Sequence, residues 1–178
     1  MPIARDWKPF FAVVVTLLLW ASAFAGIKAG LSAYSPGQLA LLRFLVGSAS
    51  MVVLARLKEF GLPERKDFPR ILAVGFLGFT VYHVFLNYGE RTVSAGAASL
   101  IVSFTPVMTA LLACFLLRER LRFLGWAGIA VSVSGVALIS FGEGGGIALD
   151  PGSLLILLAS LGSSLYNVFQ KPLLKRYD

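Results

Sequence analysis

Trp20, His83, Asn87, Ser99, Ser103, Tyr166 and Asn167 place uncharged hydrogen-bonding groups inside long apolar stretches, and Lys28 and Arg43 place cations near the ends of two of them. Groups of this kind can line a polar path for a small molecule, but they make a poor catalyst. No Asp or Glu lies within an apolar stretch; Asp6, Glu59, Glu64, Asp67, Glu90, Glu119, Glu143, Asp150 and Asp178 all fall in connecting segments or at helix ends. That leaves His83, the only histidine, as the one evident group within a stretch able to exchange a proton near neutral pH. Its plainer role is a histidine held by hydrogen bonds inside a bundle. Lys28 and Arg43 have the simple option of extending to lipid head groups. Arg43 lies about one turn inside and shares a face with Gly47 and Ser50, so it is also placed to hold an anionic group or brace a gate. Trp20 is too deep for an interfacial belt and is either packing or a cavity wall.

Enzyme signatures are missing. There is no His-Glu-x-x-His pair for zinc, and the Gly142–Gly146 run is not followed by the Lys-Ser/Thr of a phosphate-binding loop. Ser132-Val-Ser-Gly135 lacks the preceding glycine and following histidine of an intramembrane serine protease. Cys114 is the only cysteine, so an intramolecular disulfide is excluded. No enzyme activity, cofactor or metal is expected.

The elements that carry these residues are six apolar runs, about 10–27, 39–57, 71–88, 95–117, 123–141 and 152–169. Each has roughly the 18 to 23 residues an α-helix needs to cross a hydrocarbon core of about 30 Å. Thirteen of the sixteen Lys and Arg residues fall in alternate connecting regions, leaving Lys28, Arg43 and Arg91 for the others. Cationic loops stay on the cytoplasmic side during insertion. The expected fold is therefore an all-α, polytopic transmembrane bundle of six spans with both ends cytoplasmic. The net charge of +7 is spread over separate loops, with no basic face for nucleic acid, so the bilayer is the expected partner. Arg5, Lys8 and Ala21-Ser-Ala23 imitate a signal peptide, but apolar character continues through Ile27, so the segment reads as a retained first span.

Seven of eight prolines punctuate edges and loops; Pro106 alone lies in mid-span, where it denies the Val102 carbonyl its helical donor. Ser103, Thr105 and Thr109 are near enough to help. The result is either a packing kink or a hinge beside a cavity. Small residues recur at helical spacing: Gly125, Gly128, Ser132 and Gly135 on the fifth run, Ser99, Ser103, Pro106 and Ala110 on the fourth, Gly75, Gly78 and Tyr82 on the third. Such stripes let helices approach closely in lipid, and packing within the chain is the expected use.

Trp20-Ala-Ser-Ala-Phe-Ala-Gly-Ile-Lys28, Tyr34-Ser-Pro36 and Leu42-Arg43-Phe44, followed by Asn87-Tyr-Gly89, Ser94-Ala-Gly-Ala-Ala-Ser-Leu-Ile101 and Thr105-Pro-Val-Met-Thr-Ala110, make a recognisable series. With Arg118-Glu-Arg120, Gly125-Trp-Ala-Gly128 and Gly135-Val136 it resembles the repeat of EamA-type permeases in the drug/metabolite transporter superfamily. The resemblance implies a bacterial inner-membrane permease of two inverted five-span repeats, exporting amino acids, metabolites or drugs through a central cavity. On that pattern residues 10–142 form one repeat and 152–178 the first span of a second, inverted one. A shift of 143 residues superposes Lys28 on Lys171 and Tyr34 on Tyr177. The chain then reads as half of a ten-span transporter, needing the second repeat or a second copy of itself. The expected function is a secondary transporter working by alternating access on a small-molecule substrate. A lipid-linked substrate flippase subunit and a non-transporting membrane interaction subunit are the alternatives. The four-span multidrug exporters of the superfamily fit poorly, because the first run holds no glutamate.

Overall fold

The computed structural model describes residues 7–59, 61–142 and 151–177, with side chains described outside 136–142. Helices account for the ordered elements among these residues: α1 (Lys8–Gly30), α2 (Pro36–Leu57), α3 (Phe68–Gly75), α4 (Tyr82–Gly89), α5 (Ala95–Val102), α6 (Thr105–Leu116), α7 (Phe123–Gly142), α8 (Pro151–Phe169) and α9 (Lys171–Leu174). Five stretches are long and apolar enough to cross a membrane: Lys8–Gly30, Pro36–Leu57, Arg65–Gly89, Ala95–Leu116 and Pro151–Leu174. Helix α7 runs for 20 residues, Phe123–Gly142, and is apolar over Phe123–Gly135, the part whose side chains are described.

Local chemistry sets the boundaries. Ser35 caps α2 in a reciprocal box with Gln38, its hydroxyl accepting from the Gln38 N–H while the Gln38 amide oxygen accepts from the Ser35 N–H. Ser94 caps α5 by accepting from the Ala97 N–H at 3.2 Å. The run at 95–117, expected as one helix kinked at Pro106, is two helices broken at Ser103–Phe104. Pro106 sits in the first turn of α6, where its missing N–H is no loss. Ser103 does not relieve the Val102 carbonyl; its hydroxyl donates to Leu100 at 2.6 Å. The Thr105 and Thr109 hydroxyls are buried without any partner.

The third crossing also departs from one uniform helix. Between α3 and α4 lies a π-helical segment, Phe76–Val81. A π segment widens the turn and commonly marks a place where another element intrudes. Here the intruder is α8, whose Tyr166 ring overlies Gly78 so closely that a Cβ there would overlap it. Helix α8 is the most buried crossing. It lies against α4, α5, α6 and the π segment, through Gly152, Ile156, Ala159, Ser160, Ser164 and Val168. A Cβ on Gly89 would stand 2.7 Å from the Gly152 carbonyl oxygen, so α4 and α8 touch backbone to backbone. The stripes on α2 and α7 do not serve in this way. Gly47, Gly128 and Gly135 have no atom within 4 Å of an added Cβ. Close approach is concentrated where α8 docks.

Candidate functional site

Two cavities lie side by side in the bundle. The larger, of about 710 Å³, is walled by Trp20 and Phe24 of α1, Ser99 of α5, Ser103 at the break, Pro106 and Thr109 of α6, and Ser163 and Asn167 of α8. Its volume falls in the range of about 300–1,000 Å³ usual for small-molecule sites. The break between α5 and α6 puts the orphaned Thr105 and Thr109 hydroxyls beside it. Asn167 accepts from the Gln170 amide at 3.1 Å, which orients its side chain.

Glu119 and Lys171 stand at one end of this cavity, with the ammonium 2.8 and 2.9 Å from the two carboxylate oxygens. Helix α6 places Glu119 by an uncommon turn. Arg118 takes φ 54°, a left-handed conformation usually left to glycine, and the Glu119 N–H turns back to the Ala113 carbonyl at 3.3 Å. At the same end Arg176 pairs with Glu64 and Asp67, each at 3.1 Å, and the Tyr177 hydroxyl donates to Asp67. The segment after α8 is thus tied to the α2–α3 connection.

The smaller cavity, of about 120 Å³, shares Trp20, Phe24 and Tyr82 with the larger one and adds Arg43, His83 and Leu86. His83 is held edge-on between Phe44 and Tyr82, with ring centroids 5.3 and 4.9 Å away, and its Nδ1 has no partner. Arg43 donates to the Asn87 amide oxygen at 3.4 Å, while the fully buried Asn87 donates to the Pro36 carbonyl at 3.1 Å. Asn87 therefore bolts the start of α2 to α4 rather than facing either cavity.

Lys28 lines neither of these cavities. Its ammonium donates to the carbonyls of Glu90 at 2.6 Å, Val93 at 2.9 Å and Arg91 at 3.4 Å, closing the α4–α5 turn onto the end of α1. Tyr166 packs on Gly78 and edge-on to Phe79, at 5.7 Å between centroids. Of the residues singled out above, Trp20, Ser99, Ser103, Pro106 and Asn167 meet at the large cavity and Trp20, Arg43 and His83 at the small one, while Lys28, Asn87 and Tyr166 hold helices together.

Glu90 was not among them. It follows Gly89 at the end of α4, and its side chain is wholly buried with neither carboxylate oxygen hydrogen-bonded to a described residue. Burial pushes its pKa up to about 7, against the opposing pull of Lys28 and then Arg43.

Residues 7–141 match the model of the EamA-like transporter family. The chain belongs to that family. It is 48% identical over 159 residues to YdfC, an uncharacterized transporter of Bacillus subtilis, covering 89% of this chain and 52% of that protein. It is 38% identical over 170 residues to a probable terminal-alkyne amino-acid exporter of Streptantibioticus cattleyicolor, covering 96% of this chain and 57% of the exporter. An uncharacterized transporter of Archaeoglobus fulgidus is 33% identical over 171 residues, covering 96% and 60%. The chain spans a little over half the length of these relatives. No solved structure matches it.

Proposed function

We propose that this EamA-family chain forms one part of a secondary transporter of the bacterial inner membrane that exports small amphipathic metabolites, amino acids foremost, by alternating access. The observation that carries this reading is the large cavity. Apolar and aromatic walls with a few uncharged polar groups, and the Glu119–Lys171 pair at one end, suit a small zwitterion or drug. The amino-acid preference rests on the relative named as an amino-acid exporter. Residues 10–142 correspond to one inverted-repeat unit of five spans and 152–178 to the start of the next, giving six crossings here and ten in a complete transporter. The Glu119–Lys171 pair is suited to closing the cavity at the cytoplasmic end, because separating it is what an opening motion there requires.

The test is counterflow in sealed vesicles carrying the complete protein that contains this chain. Vesicles loaded with unlabelled L-propargylglycine should accumulate the labelled compound, and Asn167→Ala should slow that exchange severalfold. Loss of exchange without loss of folded protein supports the cavity as the site. Wild-type vesicles no better than empty ones, for this probe and for a panel of unmodified amino acids, would overturn the amino-acid reading.

A further inference from the structure

The transporter reading accounts for both cavities but leaves unexplained a carboxyl group buried at the end of the bundle opposite Glu119. Glu90 has no exposed surface, and neither oxygen receives a hydrogen bond from a described residue. Carboxylates in such positions are ordinarily paired with a donor, because an ionised group without one is held far from its aqueous stability. The cations nearby do not supply one. Lys28 has three N–H donors, and all three are directed at the backbone carbonyls of residues 90, 91 and 93. Arg43 is engaged by Asn87. Both cations act on the carboxyl through space, without a bond to it.

Resting on the transporter reading, we propose that Glu90 is a proton-binding site whose loading is coupled to closure of this end of the bundle, making the transporter a proton antiporter. In the closed arrangement described, a neutral carboxyl leaves Lys28 on its carbonyls and Asn87 on Pro36, so α1 and α2 stay latched to α4. When Glu90 is ionised it becomes the better acceptor for the Lys28 ammonium, since a charged acceptor forms the stronger bond. Drawing Lys28 away from residues 90, 91 and 93 loosens the latch between α1 and the α4–α5 turn. One proton is taken from the outer water by the open form and given up to the inner water through the small and large cavities, which share Trp20 and Tyr82. One substrate molecule moves outward in return. No bond other than the O–H of Glu90 is made or broken.

The surroundings permit this. From α1 the facing charged group is Lys28 and from α2 it is Arg43, while α4 itself contributes the uncharged but titratable phenol of Tyr82. The turn that follows contributes Arg91, whose side chain is exposed. The facing part of α8 offers Gly152 and Ile156, and the start of α5 offers Ala95, Ala97 and Ala98, none of which titrates. Desolvation outweighs the two cations and brings the group into the physiological range.

Infrared difference spectra of the detergent-purified complete protein, wild type minus Glu90→Gln, read this directly between pH 5 and 9. The expected result is a carboxylic-acid carbonyl band present at pH 5, lost through neutral pH, and regained in shifted form by Glu90→Asp. A group ionised throughout that range overturns the proposal whatever transport shows, and the wild-type titration decides even if the variants fold poorly. In vesicles, an imposed proton gradient should accelerate wild-type L-propargylglycine movement severalfold, an acceleration absent from Glu90→Gln. Wild-type counterflow indifferent to the gradient would sink the proton site and leave the transporter reading standing. Absence of any wild-type counterflow would count against the substrate reading, with the infrared titration still deciding Glu90.

Discussion

Asn87 shows how a single polar residue can organise a helix end inside an apolar bundle. Its amide uses the N–H₂ on the Pro36 carbonyl and the oxygen on Arg43, so it joins α2 to α4 and at the same time holds the guanidinium beside the small cavity. Removing a buried, bonded amide typically costs about 1–3 kcal/mol. Asn87→Ala should therefore lower the melting temperature of the detergent-purified protein and free Arg43 to move. Asn87→Asp should do less harm, because it keeps an acceptor for Arg43. An unchanged melting temperature for the alanine variant would mean that the capping box at Ser35 is enough to fix the start of α2.

At the scale of elements, the structure is governed by what α8 needs. Gly89 and Gly152 allow two backbones to meet, and a side chain at either position has nowhere to go. Gly89→Val places a branched side chain against the Gly152 carbonyl and Ile156; overpacking of this kind costs about 1–3 kcal/mol or more. The expected outcome is a lowered melting temperature and faster digestion of the purified protein by protease. The same change at Gly47, where there is open space, should leave both nearly untouched. If the two variants behave alike, α8 is not held by close backbone contact. These consequences were only partly legible in the sequence. The apolar runs locate the helices within a few residues, because that signal is local, whereas Pro106 was expected inside one kinked helix and instead begins α6. The π segment at 76–81 was hidden, since its partner, Tyr166, is nearly ninety residues away. Glu90 was hidden for a related reason. By sequence it is a charged residue beyond a helix end, and only the closure of α1 over the α4–α5 turn and the approach of α8 to Gly89 bury it. The cavity residues Ser99, Ser103 and Asn167 were visible as polar groups in apolar runs, whereas Thr105 and Thr109 were read as helpers for the broken backbone.

For the molecule as a whole, the two ends of the bundle differ in kind. One end is knitted by ion pairs, Lys171 with Glu119 and Arg176 with Glu64 and Asp67, which tie α9 and the residues after it to the α6–α7 and α2–α3 connections. The other is closed by Lys28 on backbone carbonyls and by Asn87. The basic residues crowd the ion-paired end, which holds twelve of the described Lys and Arg residues. Retention of cationic loops then predicts that this end is cytoplasmic and that Arg91, exposed in the turn after α4, faces outward. In a Cys114→Ala background, Arg91→Cys should react with a membrane-impermeant maleimide added to intact cells. Arg120→Cys should react only after the cells are opened. The opposite pattern would invert the molecule, making Glu119–Lys171 an outer gate and turning the proposed proton site toward the cytoplasm. Orientation therefore decides the direction in which the cavity, the latch and the carboxyl beneath it can work together.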